Sequence, residues 1–244
     1  MRENGIYLSI IIPAYNEQDR IEASLRRVHA YLESLARPFE IIVVDDGSSD
    51  GTADIVRAAA ADLDAIRLVD YTPNRGKGRA VRVGIRESAG ELVGFTDADL
   101  SAPIEEMDKL LAAVGGGSDI AIGSRAVKGA IIPKHQPLYR ELGGKALNLV
   151  IRALAVRGIH DTQCGFKLFK GDIARSIFSR CFLDGWGFDV EVLYLARKMG
   201  RGIAEIPVVW SHFEGSKIHP VSAGIGVVID IIRMKMHHYP QPTI

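Results

Sequence analysis

The sequence predicts an α/β fold, with a mainly parallel central sheet and helices on both faces. Two observations carry this expectation. In the first half, short runs of β-branched and apolar residues alternate with stretches whose apolar residues recur every three or four positions, the periods of a buried strand and of an amphipathic helix. Polar loops follow several of the strand-like runs, and strict strand–helix alternation builds parallel sheets that bind ligands at the carboxyl ends of their strands.

Leu8-Ser9-Ile10-Ile11-Ile12 suits a buried strand, which Pro13 is expected to stop. Ile21, Leu25, Val28, Leu32 and Leu35 then draw one apolar stripe along a helix. Ile41-Ile42-Val43-Val44 is the second strand, and the Ser/Asp/Gly-rich loop from Asp46 to Gly51 feeds a helix from Thr52 to about Ala61. Ile66 to Val69 predicts a third strand, Lys77 to Ser88 a helix, and Glu91 to Thr96 a fourth strand. Pro103 stands where the first turn of a helix would begin, with Ile104, Met107, Leu110, Leu111 and Val114 on its inner face. Asp119 to Ile122 is the fifth strand. Further on, Leu142 to Leu154 reads as a long apolar helix, and Phe188 opens another. Val221 to His238 places Ile225, Val228, Ile229, Ile232 and Met236 on one face, with Arg233, Lys235 and His237 towards its end. Such a helix can lie in a lipid headgroup layer, and core packing or a dimer contact accounts for the same pattern.

Composition removes several function classes. The 244 residues are 47% hydrophobic and 25% charged, an ordinary globular balance, long enough for one large domain or two small ones. Thirty basic residues cancel thirty acidic ones, so no net field draws the chain to nucleic acid or to an anionic membrane. Cys164 and Cys181, with no secretory leader ahead of Leu8, read as reduced thiols in a cytosolic protein. No stretch reaches the roughly 20 apolar residues that span a bilayer, so a membrane would be met at its surface. The histidines show no zinc spacing. Trp186 and Trp210 suit either sugar stacking or wall packing.

Chemistry concentrates in Gly94-Phe95-Thr96-Asp97-Ala98-Asp99, where a strand ends on two carboxylates at i and i+2. Alone the pair is a polar turn; with a substrate diphosphate it suits Mg²⁺ or Mn²⁺, which favour one or two carboxylates plus phosphate oxygens. Pro13-Ala14-Tyr15-Asn16-Glu17 follows the first strand and Asp45-Asp46-Gly47-Ser48 the second. There Tyr15 could lie on a base, while Glu17 or Asp46 could accept hydrogen bonds from base or ribose. Asn74-Arg75-Gly76-Lys77-Gly78-Arg79 adds a glycine-rich basic loop before a helix, where backbone amides and Lys77 could hold phosphate, although its spacing is not a Walker loop.

Ile12 to Glu17, Val43 to Thr52 and Asp97-Ala98-Asp99, in this order, resemble the family 2 glycosyltransferases of the GT-A fold. Gly123-Ser124-Arg125, Asp161 to Lys167, Trp186 to Glu191 and Gly215-Ser216-Lys217 resemble the polyprenyl-phosphate sugar synthases, the dolichyl-phosphate β-glucosyltransferases more than the mannose synthases. The resemblance covers about residues 7 to 218, and a division follows: 1–218 as the GT-A domain and 219–244 as a C-terminal amphipathic helix and tail. It implies that Pro13, Tyr15, Glu17 and Asp46 hold the nucleoside. Asp97, Ala98 and Asp99 would hold the donor diphosphate through the metal, with Asp99 the direct ligand. Ser101 stands where the mannose synthases place a metal-holding glutamine, which puts more of the shell on water. Arg125 and Arg140 would face the donor and acceptor phosphates and Lys217 would close over the donor, although Arg125 and Lys217 also read as surface charges.

The implied reaction moves a hexose, glucose from UDP-glucose foremost, to a polyprenyl phosphate with inversion. An ionised phosphate needs no base, whereas a hydroxyl acceptor would, and Asp189 is the carboxylate nominated for that role against its alternative as a helix N-terminal charge. GDP-mannose as donor, a hydroxyl acceptor, a nucleotidyltransferase and a non-catalytic nucleotide-sugar binder are the competing readings. The expected setting is cytoplasmic, peripheral on the membrane face, with a homo-oligomer left open.

Overall fold

The computed structural model describes residues 5–133, 138–212 and 220–239. The chain runs β1 (Leu8–Ala14), α1 (Ile21–Ser34), β2 (Phe39–Asp45), α2 (Thr52–Asp62), β3 (Ile66–Asp70), α3 (Lys77–Glu87) and β4 (Leu92–Phe95). A 3-10 turn at Ile104–Glu106 leads into α4 (Met107–Gly115), followed by β5 (Ile120–Ser124), α5 (Leu138–Leu154), β6 (Lys167–Lys170), α6 (Gly171–Phe178), α7 (Phe188–Lys198), β7 (Ile203–Pro207) and α8 (Pro220–Met236).

One seven-stranded sheet takes the order β3-β2-β1-β4-β6-β5-β7. It is parallel except at β6, which runs antiparallel to β4 and to β5. Because side chains alternate along a strand, Leu8, Ile10 and Ile12 face a layer of α1, α2 and α4, whereas Ile11, Ile42 and Val44 face α3, α6 and α7. Burying an isoleucine of this kind is worth about 1.5–3 kcal/mol, so the two layers supply the main driving force for the fold. Val227, Ile231 and Met234 of α8, and Tyr239 beyond it, join the α3–α7 layer. The C-terminal helix therefore shares the core of the main domain.

The expected strands and helices of the first half are present, with informative differences at the edges. Pro13 does not stop β1, which continues to Ala14. In a parallel strand a residue's N–H and C=O point to the same neighbour. Ile11 gives its carbonyl to Thr96 on the β4 side, while Ala14 gives its carbonyl to Asp46 on the β2 side. Pro13 thus turns its missing N–H towards β4, whose paired residues have already ended at Phe95, and no ladder bond is lost. Pro103 precedes the turn rather than opening α4, and α5 begins before Leu142. β6, α6 and β7 are not among the elements expected from the sequence. β6 starts and ends on lysine, and Lys167 is fully buried.

Candidate active site

The carboxyl ends of β1, β2, β4 and β5 form one rim, and its loops are tied to each other by local hydrogen bonds. Asn16, in the left-handed region at φ 55°, donates its N–H to the Ser48 hydroxyl at 2.9 Å and accepts the Ser49 N–H at 2.8 Å. Glu17 donates its N–H to the Thr52 hydroxyl at 2.8 Å. Asp45 accepts both the N–H and the hydroxyl of Ser48. These bonds hold the Pro13 to Glu17 turn against the Asp45 to Thr52 loop. Tyr15 is left 45% exposed on the rim, while Glu17 pairs with Arg20 at 2.5 Å.

Asp46 is buried, and its two oxygens accept the N–H groups of Arg75 and Gly76, each at 2.7 Å. It therefore fixes the glycine-rich loop that leads into Lys77. Gly76 takes φ 102°, a conformation that side-chain-bearing residues rarely adopt.

β4 delivers the two candidate metal carboxylates. Ala98 is buried and accepts the Ser24 hydroxyl at 2.6 Å through its carbonyl. Leu100 turns the chain at φ 48° and donates to the Asp97 carbonyl at 3.0 Å. This anchored turn leaves Asp97 and Asp99 partly exposed on either side of Ala98. One oxygen of Asp99 accepts the Ser101 N–H at 2.9 Å. Asp97 pairs with the Lys77 ammonium and rests on Gly165, where any β-carbon would overlap its carboxylate.

Across the rim, Arg125 forms a fork with Asp161: Nε donates to Oδ2 at 2.7 Å and Nη2 to Oδ1 at 2.9 Å. The Arg125 N–H donates to the same carboxylate at 2.9 Å, and the guanidinium lies 5.1 Å from the centre of the Trp210 ring. Burial opposes ionisation of Asp161, yet the charge and hydrogen bonds of Arg125 outweigh it and hold the carboxyl below its ordinary value. Glu205 of β7 supports this pair from behind. It accepts the Ser124 hydroxyl and the Asp161 N–H, each at 2.7 Å, and the His160 N–H at 2.9 Å.

Asp189 stands in the first turn of α7, 2% exposed, with Lys167 donating to it at 2.5 Å. Lys167 also donates to the Cys164 carbonyl at 2.6 Å. Burial pushes the Asp189 carboxyl above its ordinary value although Lys167 and Lys77 pull it down. Burial likewise works against the charge on Lys77, and Asp97, Asp189 and Asp99 reverse it, so the ammonium is held above its ordinary range.

Pro13, Tyr15, Glu17, Asp46, Lys77, Asp97, Ala98, Asp99 and Arg125 thus lie on this rim or in the turns beneath it, and Asp189 lies under the floor. Arg140 falls in α5, with its side chain outside what is described, and Lys217 lies outside the described residues. Reasoning from sequence missed Lys167, Gly165 and Glu205 as parts of the site. Lys167 and Gly165 lie in the Asp161 to Lys167 motif, whereas Glu205 sits on an edge strand with no local signal.

The donor set fits Mg²⁺ or Mn²⁺ bound jointly by protein and substrate. Among the described residues no three His, Cys, Asp or Glu side chains gather to hold a metal. Two hard, partly exposed carboxylates would leave the remaining positions to phosphate oxygens and water, the arrangement these ions favour at phosphate-bearing sites.

The profile of the family described as Glycosyl transferase family 2 matches residues 9–178. A dolichyl-phosphate beta-glucosyltransferase of Dictyostelium discoideum is 37% identical over 96% of this chain and 76% of its own length. The enzyme of that name from Homo sapiens is 34% identical over 95% of this chain and 75% of its own. Among solved structures, glucosyl-3-phosphoglycerate synthase from Mycobacterium tuberculosis, in complex with Mn²⁺, uridine diphosphate and phosphoglyceric acid, superposes with TM-score 0.70. It is 19% identical, over 95% of this chain and 78% of that one. Mannosyl-3-phosphoglycerate synthase from Rubrobacter xylanophilus gives TM-score 0.71 at 22% identity, over 95% of this chain and 75% of that one. At these identities the solved structures speak for the fold.

Proposed function

The chain belongs to glycosyl transferase family 2 and has the GT-A fold, and from that premise we propose that it transfers glucose from UDP-glucose to a polyprenyl phosphate. The observation that carries the reading is the meeting of the Asp97/Asp99 turn, the Lys77 ammonium and the Arg125 fork on one rim beside Tyr15 and Asp46. Its curated relatives, dolichyl-phosphate beta-glucosyltransferases, support the donor sugar and the acceptor class.

Tyr15 and the Pro13 to Glu17 turn receive the nucleoside, with Asp46 shaping the wall through the Arg75–Gly76 backbone. Asp97 and Asp99 would hold Mg²⁺ or Mn²⁺, which would supply charge neutralisation to the departing diphosphate. Lys77 adds a mobile positive charge beside the same diphosphate. Arg125 spends Nε and Nη2 on Asp161, a fork that fixes the plane of the guanidinium and leaves Nη1 outside that pair, where it would meet phosphate. An acceptor phosphate is already ionised at neutral pH and attacks the anomeric carbon without losing a proton. Attack from the side opposite the diphosphate inverts the α-linked donor to a β-linked product. Asp189 fits this scheme as the counter-charge of Lys167. A hydroxyl acceptor would call on an accessible base, and Asp189 is buried and paired.

The acceptor's lipid tail suits the outer face of α5 and α8, which pack on each other. Leu149 and Leu154 of α5 and Ile225, Ile229, Ile232 and Met236 of α8 are all more than 40% exposed, and Arg233 and Lys235 lie in the last turn of α8. Asp230, towards the inner side of α8, lies against Gly187, next to Trp186 on the rim, so α8 packs beside the site. Among the described residues no helix is long and apolar enough to cross a membrane. We assign α5 and α8 to a peripheral contact with the cytoplasmic membrane face.

Asp99→Ala tests the metal assignment. The expected result is loss of Mn²⁺-dependent UDP binding in calorimetry and a fall in UDP release from UDP-glucose of at least about a hundredfold. Unchanged binding and turnover would remove the metal from the scheme.

A further inference from the structure

We propose that Lys77 stands in for the metal's charge on Asp97 until the donor arrives, so that the divalent cation and the nucleoside diphosphate bind cooperatively. The proposal rests on the reading of Asp97 and Asp99 as metal carboxylates, and it concerns what holds one of them while the metal is away.

The ammonium of Lys77 is paired with Oδ1 of Asp97. The backbone on each side of the pair is held by close contacts. On the lysine side, Asp46 grips the N–H groups of Arg75 and Gly76 at 2.7 Å. A β-carbon at Gly76 would stand 2.6 Å from the Asp184 carbonyl oxygen, and one at Gly78 would stand 2.6 Å from Cβ of Phe188. The Gly-Lys-Gly segment is therefore packed closely between Asp46 and the 183–188 segment. On the aspartate side, the Asp97 carboxylate rests on Gly165, and the carbonyl of the following Ala98 is tied to Ser24 at 2.6 Å.

What can move is the side chain of Lys77, a compact ammonium on a flexible four-carbon stem. It has a second seat in view, the ring of Trp186, whose centre lies 5.5 Å from Nζ. A divalent cation approaching Asp97 alone must displace a paired ammonium and then share the carboxylate with a nearby like charge. A diphosphate arriving with the cation offers the ammonium new oxygens and removes that conflict. The two ligands then help each other, and linkage requires the help to be equal in both directions.

The experiment measures Mn²⁺ affinity by calorimetry or by the free-ion spin-resonance signal. It uses the full chain as wild type, Lys77→Met and Lys77→Arg, each with and without saturating UDP. Removal of a part-buried ion pair predicts that Lys77→Met binds Mn²⁺ about tenfold more tightly than wild type without nucleotide. Lys77→Arg, which keeps the charge, is expected to match wild type. With UDP present the gap between wild type and Lys77→Met is expected to shrink below about threefold, because the lysine has by then left Asp97. Equal Mn²⁺ affinity of wild type and Lys77→Met without nucleotide overturns the proposal, as does a gap that UDP leaves unchanged or Mn²⁺ binding by none of the three proteins. Failure of wild type to bind UDP would instead defeat the nucleotide reading, and the comparison without nucleotide would still decide the role of Lys77.

Discussion

Asp97 and Asp99 differ in what surrounds them, and the difference sets what single substitutions should do. Asp97 is confined between Lys77 and Gly165, whereas Asp99 is oriented by one N–H from Ser101. Gly165→Ala should leave the fold intact but push the Asp97 carboxylate off its position. The expected outcome is a loss of turnover of about tenfold or more, with a melting temperature within a few degrees of wild type by circular dichroism. Arg125→Lys keeps the charge but cannot make the two-pronged contact to Asp161. Transfer kinetics should show kcat/KM lowered about ten- to a hundredfold, since the fork is assigned to holding a phosphate on the rim. The sequence identified Asp97, Asp99 and Arg125 as charged residues in suggestive places. It held no sign that Arg125 is forked to Asp161, because the two are 36 residues apart and meet only through the sheet.

At the scale of elements, legibility followed how each segment buries its side chains. β1, β2 and β5 read well because apolar, β-branched residues fill positions that are buried on both faces of the sheet. β6 was hidden because Lys167 occupies a fully buried position, an identity that makes sense only once Asp189 and the Cys164 carbonyl are seen around its ammonium. β7 was hidden for the opposite reason: its side chains are only partly buried, and its central Glu205 looks outward in a linear reading while accepting the N–H of Asp161 in the fold. α8 shows the limit of amphipathic patterning. Val227, Ile231 and Met234 are core, while Ile225, Ile229 and Ile232 are open on the other side, a split that helical spacing permits but does not assign. Replacing Ile225, Ile229 and Ile232 together with glutamine should lower co-sedimentation with anionic vesicles several-fold. UDP binding and the melting temperature should stay where they are, and a coincident loss of stability would place those side chains in the core instead.

At the scale of the molecule, parallel strands bring their carboxyl ends to one edge, and that single geometric fact collects loops from β1, β2, β4 and β5 into one site. The antiparallel β6 fits between β4 and β5 and carries Lys167 and, just ahead of it, Gly165 to the underside of the carboxylate turn. The α3–α7 layer then continues into α8, so the candidate lipid face and the nucleotide rim are parts of one packed unit. The proposed acceptor is both anionic and lipid-bound. The most direct test supplies UDP-glucose labelled in the sugar, with Mn²⁺, and compares polyprenyl phosphate with the matching polyprenol. Metal-dependent label in the lipid extract with polyprenyl phosphate, and none with the alcohol, is the predicted result. UDP release with all label left in the aqueous phase, or equal labelling of the alcohol, would contradict it.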